Sequence, residues 1–153
     1  DCEAIHLKHA RGEDIGTTFR WACDARVRKF SFQKGEISYE EHKSWYMGKL
    51  ADEACKYYLI DYKGKDIGSI RFDKDEDNVV ISYLLDPAFH GQGLGQALLI
   101  EGCKTYTREV LARPLNIVGY VMVENVASMK IFEHLGFIKE VMADKIKYTY
   151  PCK

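Results

Sequence analysis

Between Ser82 and Leu99 the chain reads SYLLDPAFHGQGLGQALL: an apolar stretch, a glycine-rich loop, then a helical pattern. Glycines at 91, 93 and 95 let a backbone approach a ligand closely and turn its N–H groups inward. The start of the following helix adds unpaired N–H donors and the positive end of a dipole. Together these make an anion site suited to a pyrophosphate. A dinucleotide fingerprint needs G-x-G-x-x-G, with an acidic residue about twenty positions on; the spacing here is G-x-G-x-G. A P-loop needs a lysine after its last glycine, and Gly95 is followed by Gln96 and Ala97. Taken alone, the loop is also compatible with a plain glycine turn ahead of a core helix.

Other groups with chemical potential lie on either side. Asn125 and Ser128 open a second helical pattern that runs through Lys130 and Phe132 to Gly136-Phe137. Asn125 alone reads as a helix N-cap. His42 has a solution pKa suited to removing a proton near neutrality, although an amphipathic helix also carries histidines on its surface. Tyr120, Tyr83 and His134 are candidate proton donors.

These groups need a scaffold. Residues 4–9 alternate and predict an edge strand. Residues 14–21 predict a short helix running on into DARVRKF. Ser38 and Glu41 form a capping-box pair ahead of a helix over 39–50. Residues 56–62 and 66–72 predict two strands around a Lys63-Gly64-Lys65 turn. The acidic stretch 73–77 reads as a solvated loop. A strand over 79–85 stops at Asp86-Pro87, since proline cannot donate to a sheet ladder. The long helix after the glycine loop is blocked by Pro114 from running much past Ala112. A strand over 116–123, a helix over 125–135 closed by Gly136, and strands over 137–142 and 145–150 complete the order. That order implies an α/β fold with a sheet of mixed direction covered by helices.

The 153 residues carry 22 Lys and Arg against 23 Asp and Glu, a net charge of -1. They are expected to form one domain, residues 1–153. The charge balance argues against a general nucleic-acid binder. Cys2, Cys23, Cys55, Cys103 and Cys152 form no CxxC pair. They point to reduced thiols in the cytoplasm rather than to zinc, another metal or a disulfide scaffold. No apolar run reaches the roughly 18 residues of a membrane span, and no signal-peptide pattern opens the chain. The first residue is Asp1, which suggests a domain cut from a longer polypeptide.

The loop His90-Gly91-Gln92-Gly93-Leu94-Gly95 resembles the acetyl-coenzyme-A motif of the GNAT superfamily, Arg/Gln-x-x-Gly-x-Gly/Ala, with His90 at its first position. Asn125-Val126-Ala127-Ser128 with Phe132 and Gly136-Phe137 resembles that family's Asn-x-x-Ala/Ser … Tyr-x-x-x-Gly-Phe helix. The resemblance spans roughly residues 56–150. It implies a mixed, mostly antiparallel central sheet of about seven strands with a splayed parallel pair, flanked by about four helices. It also implies an N-acetyltransferase that takes acetyl-CoA as cosubstrate and needs no metal. Tyr83 and Leu85 would pair with the pantetheine arm, and the Leu85 N–H would polarise the thioester. His90, Gly91, Gln92, Gly93, Leu94 and Gly95 would meet the pyrophosphate. Asn125 would bond the arm, with Ser128 and Lys130 near the phosphates. Phe132 stands where many members use a tyrosine to protonate the leaving thiolate. Tyr120 is the preferred replacement and His42 the preferred base.

The N-terminal third contains Phe19-Arg20-Trp21, Asp24 to Arg28 and Ile37 to Trp45. It is similar to the pattern W-R-N-D-x-x-V-R … I-S-x-E-x-H-x-x-W of GNAT enzymes that acetylate nucleotide-linked amino sugars, notably in pseudaminic acid biosynthesis. A related pattern occurs in ribosomal-protein N-terminal acetyltransferases. The resemblance implies a UDP-linked 4-amino sugar as acceptor. Arg26, Arg28, Lys29 and Lys49 would meet the diphosphate, and Trp21, Trp45 or Tyr46 would stack on the base or sugar. The alternatives are a protein N-terminus, a polyamine, or a non-catalytic acyl-CoA-binding module. Glycine spacing disfavours nicotinamide-dependent oxidoreduction.

Overall fold

The computed structural model describes residues 5–32 and 35–152; Asp1, Cys2 and the first residue of the strand expected over 4–9 lie outside them. Seven strands form one sheet in the order β1-β2-β3-β4-β5-β7-β6. In chain order they are β1 (Ile5–His9), β2 (Cys55–Tyr62), β3 (Lys65–Asp75), β4 (Asn78–Leu85), β5 (Asn116–Val121), β6 (Ile138–Val141) and β7 (Ile146–Pro151). Every neighbouring pair is antiparallel except β4 and β5. The described helices are α1 (Ile15–Cys23), α2 (Ala25–Arg28), α3 (Tyr39–Ala51), α4 (Leu94–Glu109) and α5 (Val126–His134). The mixed sheet and its splayed parallel pair are as expected. The helices number five because the segment after Asp24 folds as its own short turn of helix, capped by the Asp24 carboxylate on the Arg26 N–H.

Two local expectations change. Residues 73–77 are not a loop: β3 runs on to Asp75, paired with Asn78, and the reversal is confined to the residues between them. Asp73 stays in the strand because it is held by two cations, at 2.7 Å from Arg71 and 2.9 Å from Lys49. α4 ends at Glu109, short of Pro114, where Val110 turns extended. The chain is then drawn back to the sheet through Leu115 N–H on Asp77 C=O.

The capping box forms as the sequence specifies, with Glu41 N–H on Ser38 Oγ and Ser38 N–H on Glu41 Oε1, both at 3.1 Å. Lys63 and Gly64 both have positive φ, the backbone a tight hairpin needs. On one face of the sheet, α4 and α5 cover the main core. There Phe72 stacks on Tyr106 at 4.5 Å and Phe132 on Tyr148 at 5.1 Å. On the other face α3 packs Tyr46 against Cys55 and Tyr57. No helix among the described residues is long and apolar enough to cross a membrane.

Candidate active site

The parallel pairing of β4 with β5 runs from Asn78↔Asn116 only to Ile81↔Gly119. Beyond it both strands continue without each other, β4 to Leu85 and β5 to Val121. Asp86 N–H bonds Ile67 C=O, so the polar groups of Asp86 face β3. Strand alternation then turns those of Leu85 and Tyr83 towards the opening on the β5 side. A cleft of about 870 Å³ occupies this opening.

At its end lies the glycine loop. Gly91 and Gly93 have φ of 79° and 74°, and Gly93 is the residue from which α4 starts. Nothing stands within 4 Å of where a side chain would emerge at either, so the loop is open on that side. Gly95 lies inside the first turn of α4, where a Cβ would come 2.8 Å from Ile131 Cδ1. Its smallness lets α4 approach α5. His90 Nε2 donates to Leu85 C=O at 2.8 Å, which fixes its tautomer and ties the loop to the end of β4.

The opposite wall is the start of α5. Asn125 caps it, its side chain accepting from Ser128 N–H at 3.2 Å, which leaves the carboxamide NH2 for other partners. Ser128 Oγ and the Tyr83 hydroxyl are 2.8 Å apart. Burial pushes the Tyr83 phenol up, against a smaller opposing effect of Ser128. Of the residues expected to meet the coenzyme, Tyr83, Leu85, His90, Gly91, Gly93, Leu94, Gly95, Asn125, Ser128 and Lys130 all line this one cleft. Gln92 is in the loop but does not line it. Tyr120 lines the cleft and is 37% exposed. Phe132 closes the cleft's apex and is buried.

His42 is elsewhere. It is 5% exposed, enclosed by Phe19, Trp45 and Tyr46, with Nε2 2.9 Å from Thr18 Oγ1. It does not line the cleft. Burial lowers its pKa, which favours the neutral imidazole, and the structure places it beside the cleft's wall rather than in its lining. The reason is packing: α3 turns His42 and Tyr46 inward together, one helical turn apart. His134 also lies outside the lining.

The expected acceptor residues divide. Trp45 and Arg26 line the cleft. Trp21 is core, its Nε1 donating to Asp86 at 2.9 Å. Asp86 also takes Arg20; burial would raise its pKa, but these partners and the Ala88 N–H hold it below the usual carboxylate range. Tyr46 is fully buried, its hydroxyl on Arg11 C=O. Lys49 pairs with Asp73, and Arg28 donates to Gly35 C=O. The sequence reading missed Arg71, Ser82, Phe30 and Phe32, which also line the cleft. A charge inside the apolar run of β3 was the one available signal for Arg71.

Among the described residues no group of three or more metal-ligating side chains comes together. A mostly antiparallel sheet with one parted parallel pair, glycine loop and capped helix defines an acyl-coenzyme-A-dependent transferase fold. The sequence profile of the acetyltransferase (GNAT) domain matches residues 5–138. The chain belongs to the GNAT acetyltransferase family and uses acetyl-CoA as its acetyl donor. Similar solved structures include a domain from Methanocaldococcus jannaschii, 22% identical, TM-score 0.83, covering 97% of this chain and 98% of that one. Another is spermidine N-acetyltransferase from Vibrio cholerae with CoA and spermine, 17% identical, TM-score 0.82, covering 96% and 94%. A third is an acetyltransferase from Salmonella typhimurium that modifies the N-terminal serine of a 50S ribosomal subunit protein. It is 21% identical, with TM-score 0.80, covering 98% and 96%. Among curated proteins no match is found.

Proposed function

We propose that this acetyltransferase acts on the 4-amino group of a UDP-linked amino sugar. The observation that carries this reading is the charge of the cleft. Among its described lining residues are Arg26, which is paired with Asp24, Arg71 and Lys130, and no Asp or Glu. A polyamine acceptor carries several ammonium groups and needs carboxylates to hold those that do not react. A nucleotide sugar carries a diphosphate, which arginines suit, and a base and sugar, which Trp45, Phe30 and Phe32 can cover. The N-terminal pattern around Trp21, Arg28 and His42 supports the same acceptor class.

In this reading the pantetheine arm lies along the free edge of β4, exchanging hydrogen bonds with the backbone of Tyr83. The Leu85 N–H points at the thioester oxygen, where negative charge develops as the amine attacks. The Asn125 carboxamide holds the arm from the α5 side. Gly91, Gly93 and the start of α4 take the pyrophosphate, with Lys130 beside it. The amine gives up its proton to water in the open cleft, because among the described residues neither a carboxylate nor His42 lines it. Tyr120, exposed to water at the mouth, supplies a proton to the departing thiolate; a thiolate is a good enough leaving group to need little help.

The test follows thiol release from acetyl-CoA across UDP-amino sugars, N-terminal peptides and polyamines. Release only with UDP-amino sugars supports the reading. Release with a polyamine or peptide replaces the acceptor. Firm CoA binding with no release on any amine points to a non-catalytic module, with Phe132 as the residue to restore to tyrosine.

A further inference from the structure

Arg71 lies on the sheet face opposite α4, and its surroundings are unusual for a charge in mid-strand. Its guanidinium sits over the Trp45 ring at 5.0 Å and the Tyr57 ring at 5.9 Å. Nε donates to Asp73 Oδ2 at 2.7 Å, and one terminal nitrogen, Nη2, donates to Ser82 Oγ at 3.3 Å. The other Asp73 oxygen accepts from Lys49 at 2.9 Å. Burial would raise the Asp73 pKa, but Arg71 and Lys49 together hold it low, so the carboxylate is ionised. Two cations thus share one anion, and a net positive charge remains at the wall. The Arg71 side chain is only 21% exposed, and Arg71, Trp45 and Ser82 all line the cleft.

A guanidinium packed over two rings and anchored through Nε is already oriented. It loses little further freedom on meeting a planar or tetrahedral oxyanion, and it is more weakly hydrated than an ammonium. The Arg71 hydrogen bonds to Asp73 and Ser82 use Nε and Nη2, and the Tyr57 hydroxyl also interacts with the guanidinium; the planar fork still faces the cleft it lines, where it suits an oxyanion. The glycine loop opens α4 on the other face of the sheet, so Arg71 is distinct from the group of residues that would hold the coenzyme's pyrophosphate.

We propose that Arg71, held by Trp45, Asp73 and Ser82, is an acceptor-side oxyanion subsite. It binds a phosphate or carboxylate borne by the amine acceptor and so selects anionic over polycationic amines. The inference rests on the reading of the cleft as the place of acetyl transfer, but not on the acceptor being a nucleotide sugar.

The test uses the protein saturated with CoA, so that the glycine loop is occupied. Inorganic pyrophosphate, UDP and succinate are titrated in turn by calorimetry. At least one is expected to bind, and Arg71→Met is expected to weaken it about ten- to hundredfold, with CoA affinity unchanged. Binding of pyrophosphate or UDP identifies a phosphate subsite, and binding of succinate alone a carboxylate one. Arg71→Lys keeps the charge and loses the fork, so it is expected to bind the anion several-fold more weakly than the parent. With any amine that turns over, Arg71→Met should raise the acceptor KM and leave the acetyl-CoA KM alone. No anion binding to the CoA complex, or equal binding by parent and Arg71→Met, overturns the proposal. Should Arg71→Met lose CoA affinity through misfolding, Arg71→Lys decides, and unchanged anion affinity there overturns it. Anion binding through Arg71 in a protein that acetylates no UDP-amino sugar overturns the proposed acceptor and leaves the subsite standing.

Discussion

Phe132 and Gly119 share one space: a methyl group on Gly119 would come 2.6 Å from Phe132 Cζ and 2.8 Å from Cε1. Gly119 is the last residue of β5 that pairs with β4, so the tip of the Phe132 ring sits at the point where the two strands part. The ring itself is fixed by stacking on Tyr148 and by an edge contact with Phe137 at 5.0 Å. Gly119→Ala is therefore expected to cost about 1–3 kcal/mol and to weaken CoA binding by shifting α5. Chemical denaturation and CoA titration check this together. A variant as stable as the parent would mean that the ring moves aside freely.

His42 gives a pH signature of stability rather than of turnover. Burial depresses its folded-state pKa, while in the unfolded chain it titrates near 6.5. Above that pH both states are neutral there and its contribution is complete. As pH falls below about 6.5 the unfolded chain takes up the proton first, so stability drops until the folded pKa is passed. His42→Gln should remove this part of the acid slope. Denaturation midpoints from pH 7.5 to 5 measure it; an unchanged slope would contradict the buried neutral imidazole.

The three glycines of the loop should separate by function. Alanine at Gly93 would have to adopt a left-handed backbone at φ of 74°, costing about 1–2 kcal/mol. Gly93→Ala is expected to lower CoA affinity more than tenfold. Gly95→Ala meets only the far end of the flexible Ile131 side chain, so its loss should be much smaller. Equal affinities for the two variants would argue against the loop as the pyrophosphate cradle.

Tyr120 and Tyr83 can be told apart by removing each hydroxyl. Tyr120→Phe is expected to lower kcat only about three- to tenfold, because the thiolate needs little help to leave, and to leave the acetyl-CoA KM alone. Tyr83→Phe removes the bond to Ser128, so it should act on CoA affinity more than on kcat. The reverse pattern would transfer the proton-donor role to Tyr83.

The glycine-loop side of the cleft was legible in sequence because its residues are local. A glycine loop read together with the helix it opens needs only consecutive residues, and Asn125 with Ser128 needs one turn of helix. The seven strands were legible for the same reason. The acceptor side was not, because its geometry is assembled from distant pieces: Arg71 gains meaning only when α3 brings Trp45 and Lys49 to β3. The burial of His42 was not legible for a related reason. α3 is polar around most of its circumference, so the spacing of His42, Trp45 and Tyr46 gave a shared side without saying which residues face the sheet. In the structure Tyr46 and His42 are buried while Trp45 reaches the cleft. The strand ending expected at Phe72 failed because Asp73 reads as a solvated charge until its two cations are known.

The early end of the β4–β5 ladder has a thermodynamic consequence. A sheet that stops pairing at Ile81 and Gly119 leaves the polar backbone of Tyr83 without a strand beside it. An amide-bearing ligand that takes that place acts as a short length of missing sheet as well as a reactant. Its binding energy is then folding energy, and the melting temperature becomes a function of ligand concentration. At a hundred times its dissociation constant such a ligand adds about 2.7 kcal/mol to the stability of the chain.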